Sequence, residues 1–109
     1  MEELDASDGS SGAADITFDV DGIPTIKLSG EIDMANVDSL KRLIEPVVAR
    51  SPELVIFDLA ALTFMDSSGI ALLLQVSAKT HAVRLRDPSP LVRRMIDATG
   101  LSDVLVVDS

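Results

Sequence analysis

The stretch Phe64-Met65-Asp66-Ser67-Ser68-Gly69-Ile70, continuing through Ala71-Leu72-Leu73-Leu74, joins two apolar segments of different character. Upstream, Leu54-Val55-Ile56-Phe57-Asp58-Leu59 is short, β-branched and almost unbroken, the pattern of a strand buried on both faces. Downstream, the apolar run after Gly69 carries neither Pro nor Gly and reads as a buried helix to about Lys79. Ser67 and Ser68 therefore lie where the chain leaves a strand and enters a helix. In open α/β sheets binding sites collect at such points, and helix N-termini favour negative charge. The remainder of the chain reads as a scaffold for this turn.

Working outward, Ile16-Thr17-Phe18-Asp19-Val20 and Pro24-Thr25-Ile26-Lys27-Leu28-Ser29 alternate apolar and polar residues on either side of Asp21-Gly22. That is a hairpin signal. Gly30 to Asp33 ends the second strand, and Asn36 is placed to cap a helix. Val37, Leu40, Leu43, Ile44, Val47 and Val48 then share one helical face, although Pro46 should kink or shorten that helix. After the central strand and helix, Val83-Arg84-Leu85-Arg86 is a short strand. Asp87-Pro88-Ser89-Pro90 starts a helix with Ser89 as N-cap and Pro90 first in the helix. Its apolar face is Leu91, Val92, Met95 and Ile96, and Gly100 stops it. Val104 to Val107 is a last strand or an extended tail. The order β-β-α-β-α-β-α-β predicts an α/β fold: a mixed four- to five-stranded β-sheet with helices mainly on one face.

A length of 109 residues fits one domain, and 47% hydrophobic residues with only 3% aromatics implies an aliphatic core. Residues 1-14 hold Glu2, Glu3, Asp5 and Asp8, no basic residue, and a Ser/Gly-rich run, so they are expected to form a disordered acidic tail before a domain spanning 15-109. The formal charge is -9, but from Ile16 onward 13 acidic and 9 basic residues remain, so over half the excess lies outside the fold. This charge, with no Trp or Tyr, argues against nucleic-acid binding. No apolar run approaches the roughly 20 residues of a membrane span. The acidic N-terminus does not resemble a secretory signal, and the lack of cysteine is compatible with a cytoplasmic protein.

One histidine and no cysteine leave no multi-His zinc site. No Gly-x-Ser-x-Gly elbow surrounds Ser67 or Ser68, and no phosphate-binding Gly-Lys-Ser/Thr loop occurs. A hydrolase using Ser67 or Ser68 would need His81 beside it; otherwise His81 is an exposed loop residue. The plain reading of Ser67 and Ser68 is helix capping, each hydroxyl accepting a free backbone amide for on the order of 1 kcal/mol. Gly69 would let the turn pack closely. An exposed hydroxyl at a helix N-terminus is equally a phosphate acceptor, gaining a charge of roughly -1.5 to -2. The helix end would tolerate that charge, whereas a partner already facing Asp66 and Asp33 would not.

Phe64-Met65-Asp66-Ser67-Ser68-Gly69-Ile70, with Leu28-Ser29-Gly30-Glu31-Ile32-Asp33 before it and Asp87-Pro88-Ser89-Pro90 through Thr99-Gly100-Leu101 after it, closely resembles the STAS domain of bacterial anti-sigma-factor antagonists. The resemblance covers about Ile16 to Val107. It implies a STAS-like single domain, not an enzyme and without a cofactor. Members bind an anti-sigma factor that is also a serine kinase of the ATP-binding type, and so release the sigma factor. The kinase phosphorylates the first hydroxyl residue after the motif aspartate, here Ser67. The modified form lets go, and a serine phosphatase restores it. By position the contact surface comprises Asp33, Met34, Asn36, Asp66, Ser67, Ser68, Gly69 and Ile70, on a protein that is a monomer when free. The chain departs from the family pattern where a Gly-rich loop before His81-Ala82-Val83 is missing, where Ala71 replaces a common glycine, and where Asn36 replaces Thr or Ser. A second role on the same fold is the cytoplasmic subunit of a lipid-transporting ABC complex, which needs no phosphorylation.

Overall fold

The computed structural model describes residues 12–108. In chain order it contains β1 (Ala13–Phe18), β2 (Pro24–Ile32), α1 (Val37–Val48), β3 (Leu54–Met65), α2 (Ser67–Ala78), β4 (Ala82–Arg86), α3 (Pro90–Ala98) and β5 (Val106–Asp108). One five-stranded sheet runs in the order β1-β2-β3-β4-β5. β1 is antiparallel to β2, and the other pairs are parallel. The mixed sheet read from the element order is therefore present. Each β-α-β step moves one strand along in the same direction, and right-handed crossovers then place every helix on one face. The core agrees: Ile26, Phe57 and Leu85, aligned across β2, β3 and β4, join Ile44 of α1, Leu73 of α2 and Ile96 of α3 in a single cluster.

The hairpin between β1 and β2 turns on Asp19, whose carboxylate accepts the amides of Asp21 (2.8 Å) and Ile23 (2.9 Å). β1 begins and ends earlier than the alternation at 16–20 suggested, and Val20 lies fully exposed in the turn. Of the tail read at 1-14, residues 1–11 lie outside the described residues. Ala13 and Ala14, assigned to that tail, instead open β1 opposite Ser29 and Leu28.

β3 departs most from the sequence reading. It is twelve residues long, not six, and it is buried on one face only. Val55, Phe57 and Leu59 point into the core, while Leu54, Ile56 and Asp58 are half-buried on the other side. Past Asp58 the strand leaves β4 and continues against β2 alone. Two register shifts there, between Lys27 and Ser29 and between Gly30 and Glu31, each insert one extra residue into β3. Each insertion moves the inward-facing position by one, so the buried series continues at Leu62 and Met65. The broken alternation, with Ala60-Ala61 in its middle, is why this segment reads as a connection in sequence.

The opposite sheet face carries an ordered row of charges. Asp15 pairs with Lys27, Lys27 with Asp58, Asp58 with Arg86, and Arg86 with Asp108, so the sign alternates across all five strands. Favourable cross-strand pairs of this kind support the register. Arg84 also reaches Asp108 diagonally, at 3.8 Å.

Leu40, Ile44, Val47 and Val48 bury the inner face of α1, but Leu43 is 53% exposed and does not belong to it. Nor does Pro46 shorten this helix, which runs unbroken to Val48. Proline withholds the amide that Arg42 C=O would receive, but both residues are on the exposed side, where water can satisfy the carbonyl. On α3, Val92 and Ile96 are buried and Met95 packs at the margin, whereas Leu91 is 47% exposed. Ser89 caps α3 as its sequence indicates, accepting Val92 N at 3.2 Å. The segment 104–107 resolves into a three-residue edge strand, preceded by a turn that buries Leu105. Because Pro46 only interrupts a solvent-facing ladder, Pro46→Ala is expected to stabilise the fold by on the order of 1 to 3 kcal/mol, read as a higher urea midpoint at unchanged m-value.

Candidate functional site

β2 and β3 end together. Ile32 and Met65 are the last paired residues, and Asp66 N donates to Ile32 C=O at 3.0 Å. Asp33 and Asp66 consequently leave the sheet side by side from strands about 4.8 Å apart. The two acidic positions singled out in the sequence are thus brought together by strand pairing.

From Asp33 the chain makes a tight polar loop into α1. The Asp33 carboxylate accepts the amides of Ala35 (2.9 Å) and Asn36 (3.2 Å), and its C=O accepts Val37 N at 2.9 Å. Asn36 occupies the N-cap position but its side chain caps nothing. It turns back instead, accepting Asp33 N at 3.0 Å and donating to Glu31 C=O at 2.8 Å. A buried amide with one donor and one acceptor so engaged locks the loop to the end of β2. The lock leaves Met34 at the apex, 79% exposed.

From Asp66 the chain enters α2 directly. Asp66 has extended backbone angles and its carboxylate accepts Ser68 N at 2.7 Å, so Asp66 is the N-cap. The capping role expected of Ser67 and Ser68 is therefore corrected. Both serines already lie within the helix, and the residue before them holds the free amide. A carboxylate at this end also complements the helix dipole. The assignment leaves Ser67 without a structural duty: it is exposed, and no hydrogen bond to its hydroxyl occurs among the described residues. Ser68 is half-buried in a depression shared with Val37, Lys41 and Gln75.

Gly69 is fixed by close approach. A Cβ there would lie 2.7 Å from Met65 Cβ, so any side chain would push α2 off the end of β3. Ile70 is half-buried against the core. Of the eight candidate contact residues, Met34 and Ser67 are therefore presented most fully, while Asn36 and Gly69 shape the surface from beneath. Two neighbours were not among those candidates. Phe64 is 40% exposed one residue before Met65, because the second bulge turns it outward. Lys41 reaches the Ser68 depression from α1, at the i+4 position from Val37. Helical spacing was the available signal for Lys41; nothing local marked Phe64.

His81 lies beyond the other end of α2. The twelve residues of that helix separate it from Ser67 by about 18 Å along the axis. A serine–histidine pair is thereby excluded, and the Ser67 hydroxyl has no imidazole to activate it. The site offers an exposed hydroxyl, two adjacent carboxylates and an apolar apex, which suit modification and protein contact.

The STAS domain family matches residues 17–109. An anti-sigma F factor antagonist from Paenibacillus polymyxa is 30% identical over 91 residues, covering 79% of this chain and 78% of the relative. A crystal structure of an anti-sigma factor antagonist from Mycobacterium paratuberculosis superposes with a TM-score of 0.81 at 31% identity, over 94% of this chain and 89% of that one. The anti-sigma factor antagonist SpoIIAA in its unphosphorylated form gives a TM-score of 0.75 at 25% identity, over 89% of each chain.

Removing the cap and filling the glycine should separate these roles in denaturant titrations. Asp66→Ala is expected to cost about 1 kcal/mol and Gly69→Ala about 1 to 3 kcal/mol, whereas Ser67→Ala should stay within about 0.5 kcal/mol of the parent.

Proposed function

The chain belongs to the STAS domain family, and we propose that it is an anti-sigma-factor antagonist that binds an anti-sigma factor when unphosphorylated and so frees the sigma factor. The partner class comes from the relatives, which are named for antagonism of anti-sigma factors. One observation carries the switch: Ser67 opens α2 exposed and with an unengaged hydroxyl, while Asp66 does the capping. A relative described in its unphosphorylated form supports a modification cycle in this family.

The switch is electrostatic. A phosphoryl group on Ser67 adds about -1.5 to -2 of charge beside the Asp66 and Asp33 carboxylates. In the free protein, water and the N-terminal end of α2 accommodate it. Pressed into a contact surface, it loses that water and faces two carboxylates already present, so the complex weakens more than the free protein does. The modifying enzyme is a serine kinase, the anti-sigma factor itself, and a serine phosphatase reverses the step. The protein acts in the cytoplasm, where the sigma factor is; no helix among the described residues is long and apolar enough to cross a membrane. The relatives reported above are named antagonists, and no observation favours the transporter-subunit role.

Ser67→Ala should bind the anti-sigma factor persistently and accept no phosphate from it. Ser67→Glu should bind at least several-fold more weakly, although a single carboxylate mimics a phosphate poorly. Binding by calorimetry and intact mass after incubation with the kinase and ATP check both. Parent-like binding by both variants, or a phosphate mapped to Ser68 instead, would sink the role given to Ser67.

A further inference from the structure

α1 and α2 enclose an open groove that runs from Ser68 down to Lys79. Its floor is apolar, built from Ile44, Val48, Leu72 and Val76. Its rim is not. Lys41 and Lys79 line it with a single acid, Glu45, and Arg42 lines the adjoining depression that shares Glu45 and Lys79 with it. In a chain with 18 acidic and 9 basic residues, one third of the basic side chains thus gather on the groove and its adjoining depression. The surface suits an acidic segment.

Such a segment exists in the chain itself. Residues 1–11 hold Glu2, Glu3, Asp5 and Asp8 and no basic residue. The point from which they start is fixed: a Cβ on Gly12 would lie 2.6 Å from Glu31 O, so the backbone of Gly12 is pressed against β2. Glu31 is held in turn by Asn36, the residue that leads into α1. The segment therefore begins at the end of the sheet where α1 starts and where the Ser68 mouth of the groove opens. Eleven residues span about 36 Å when extended and about 18 Å on average as a flexible coil. The groove from Ser68 to Lys79 is about 17 Å long, from eleven helical steps. Reach and charge both match.

We propose that the acidic segment 1–11 docks along the α1–α2 groove, its carboxylates against Lys41, Arg42 and Lys79. Each such pair is weak when exposed to water. Covalent tethering raises the effective concentration of the segment to the millimolar range, which lets several weak pairs act together.

The absence of cysteine makes the test clean. A nitroxide on full-length Ser7→Cys should broaden the amide signals of Lys41, Gln75 and Lys79 by about twofold or more at about 0.01 M salt, where the Debye length is about 30 Å. The effect should vanish at about 1 M salt, where that length falls to about 3 Å. It should also vanish at low salt when Glu2→Gln, Glu3→Gln, Asp5→Asn and Asp8→Asn are combined. Broadening confined to β1 and β2 near Gly12 would overturn the proposal, as would broadening insensitive to salt and to neutralisation. So would broadening that appears only between a spin-labelled copy and a separate isotope-labelled copy, which would assign the groove to a second molecule.

Discussion

The pairing of β2 with β3 beyond the rest of the sheet is the constraint on which the molecule depends. β4 stops at Arg86, opposite Asp58, yet β3 continues through two bulges until Met65 meets Ile32. One further bond, Asp66 N to Ile32 C=O, closes the ladder. Both loops of the candidate site spring from that closure. Were β3 to end where its alternation ends, near Leu59, Asp33 and Asp66 would not be neighbours. Ser67 would also open a helix at an unrelated height.

Polar groups around this closure divide their labour by side-chain length and backbone state. Asp33 and Asp66 sit just outside the regular structure, and each turns its carboxylate onto the amides of the segment that follows. Asn36 ties the first loop back to Glu31. With the amides satisfied in this way, the Ser67 hydroxyl is free for chemistry with another molecule. A side chain that carried the helix cap would have to surrender it on modification, with a cost to the fold of about 1 kcal/mol. Here the switch and the scaffold are uncoupled.

Much of this was legible in the residues. The hairpin alternation, the Ser89-Pro90 helix start and the strand–turn–helix at Asp66 all rest on local rules, and the structure follows them. What stayed hidden depended on partners distant in sequence. The extension of β3 depends on β2, since Ala60-Ala61 carries little strand preference and the bulges scramble the period. Which residue caps α2 turned on a one-residue difference in where the helix starts, a resolution that pattern reading lacks. Leu43 and Leu91 fit a helical stripe by spacing, yet each stays about half exposed and outside the core cluster. Conversely, Pro46 costs stability without ending its helix, because its helix face looks onto water.

The charged row on the open sheet face has a consequence for self-association. Read from either edge it runs negative, positive, negative, positive, negative, a palindrome centred on Asp58. Two copies stacked face to face by a two-fold axis along the strands would set Asp58 on Asp58, Lys27 on Arg86 and Asp15 on Asp108. An axis across the strands would set each charge on itself. With the rows in full overlap both axes meet like with like, and only a slip by one strand brings opposite charges together, so the centred stacking open to a closed dimer is disfavoured. A half-apolar surface bearing Ile56 and Val106 would otherwise invite stacking. The row thereby works as a repellent code in register, neutral toward its own strands and hostile to its own image in full overlap.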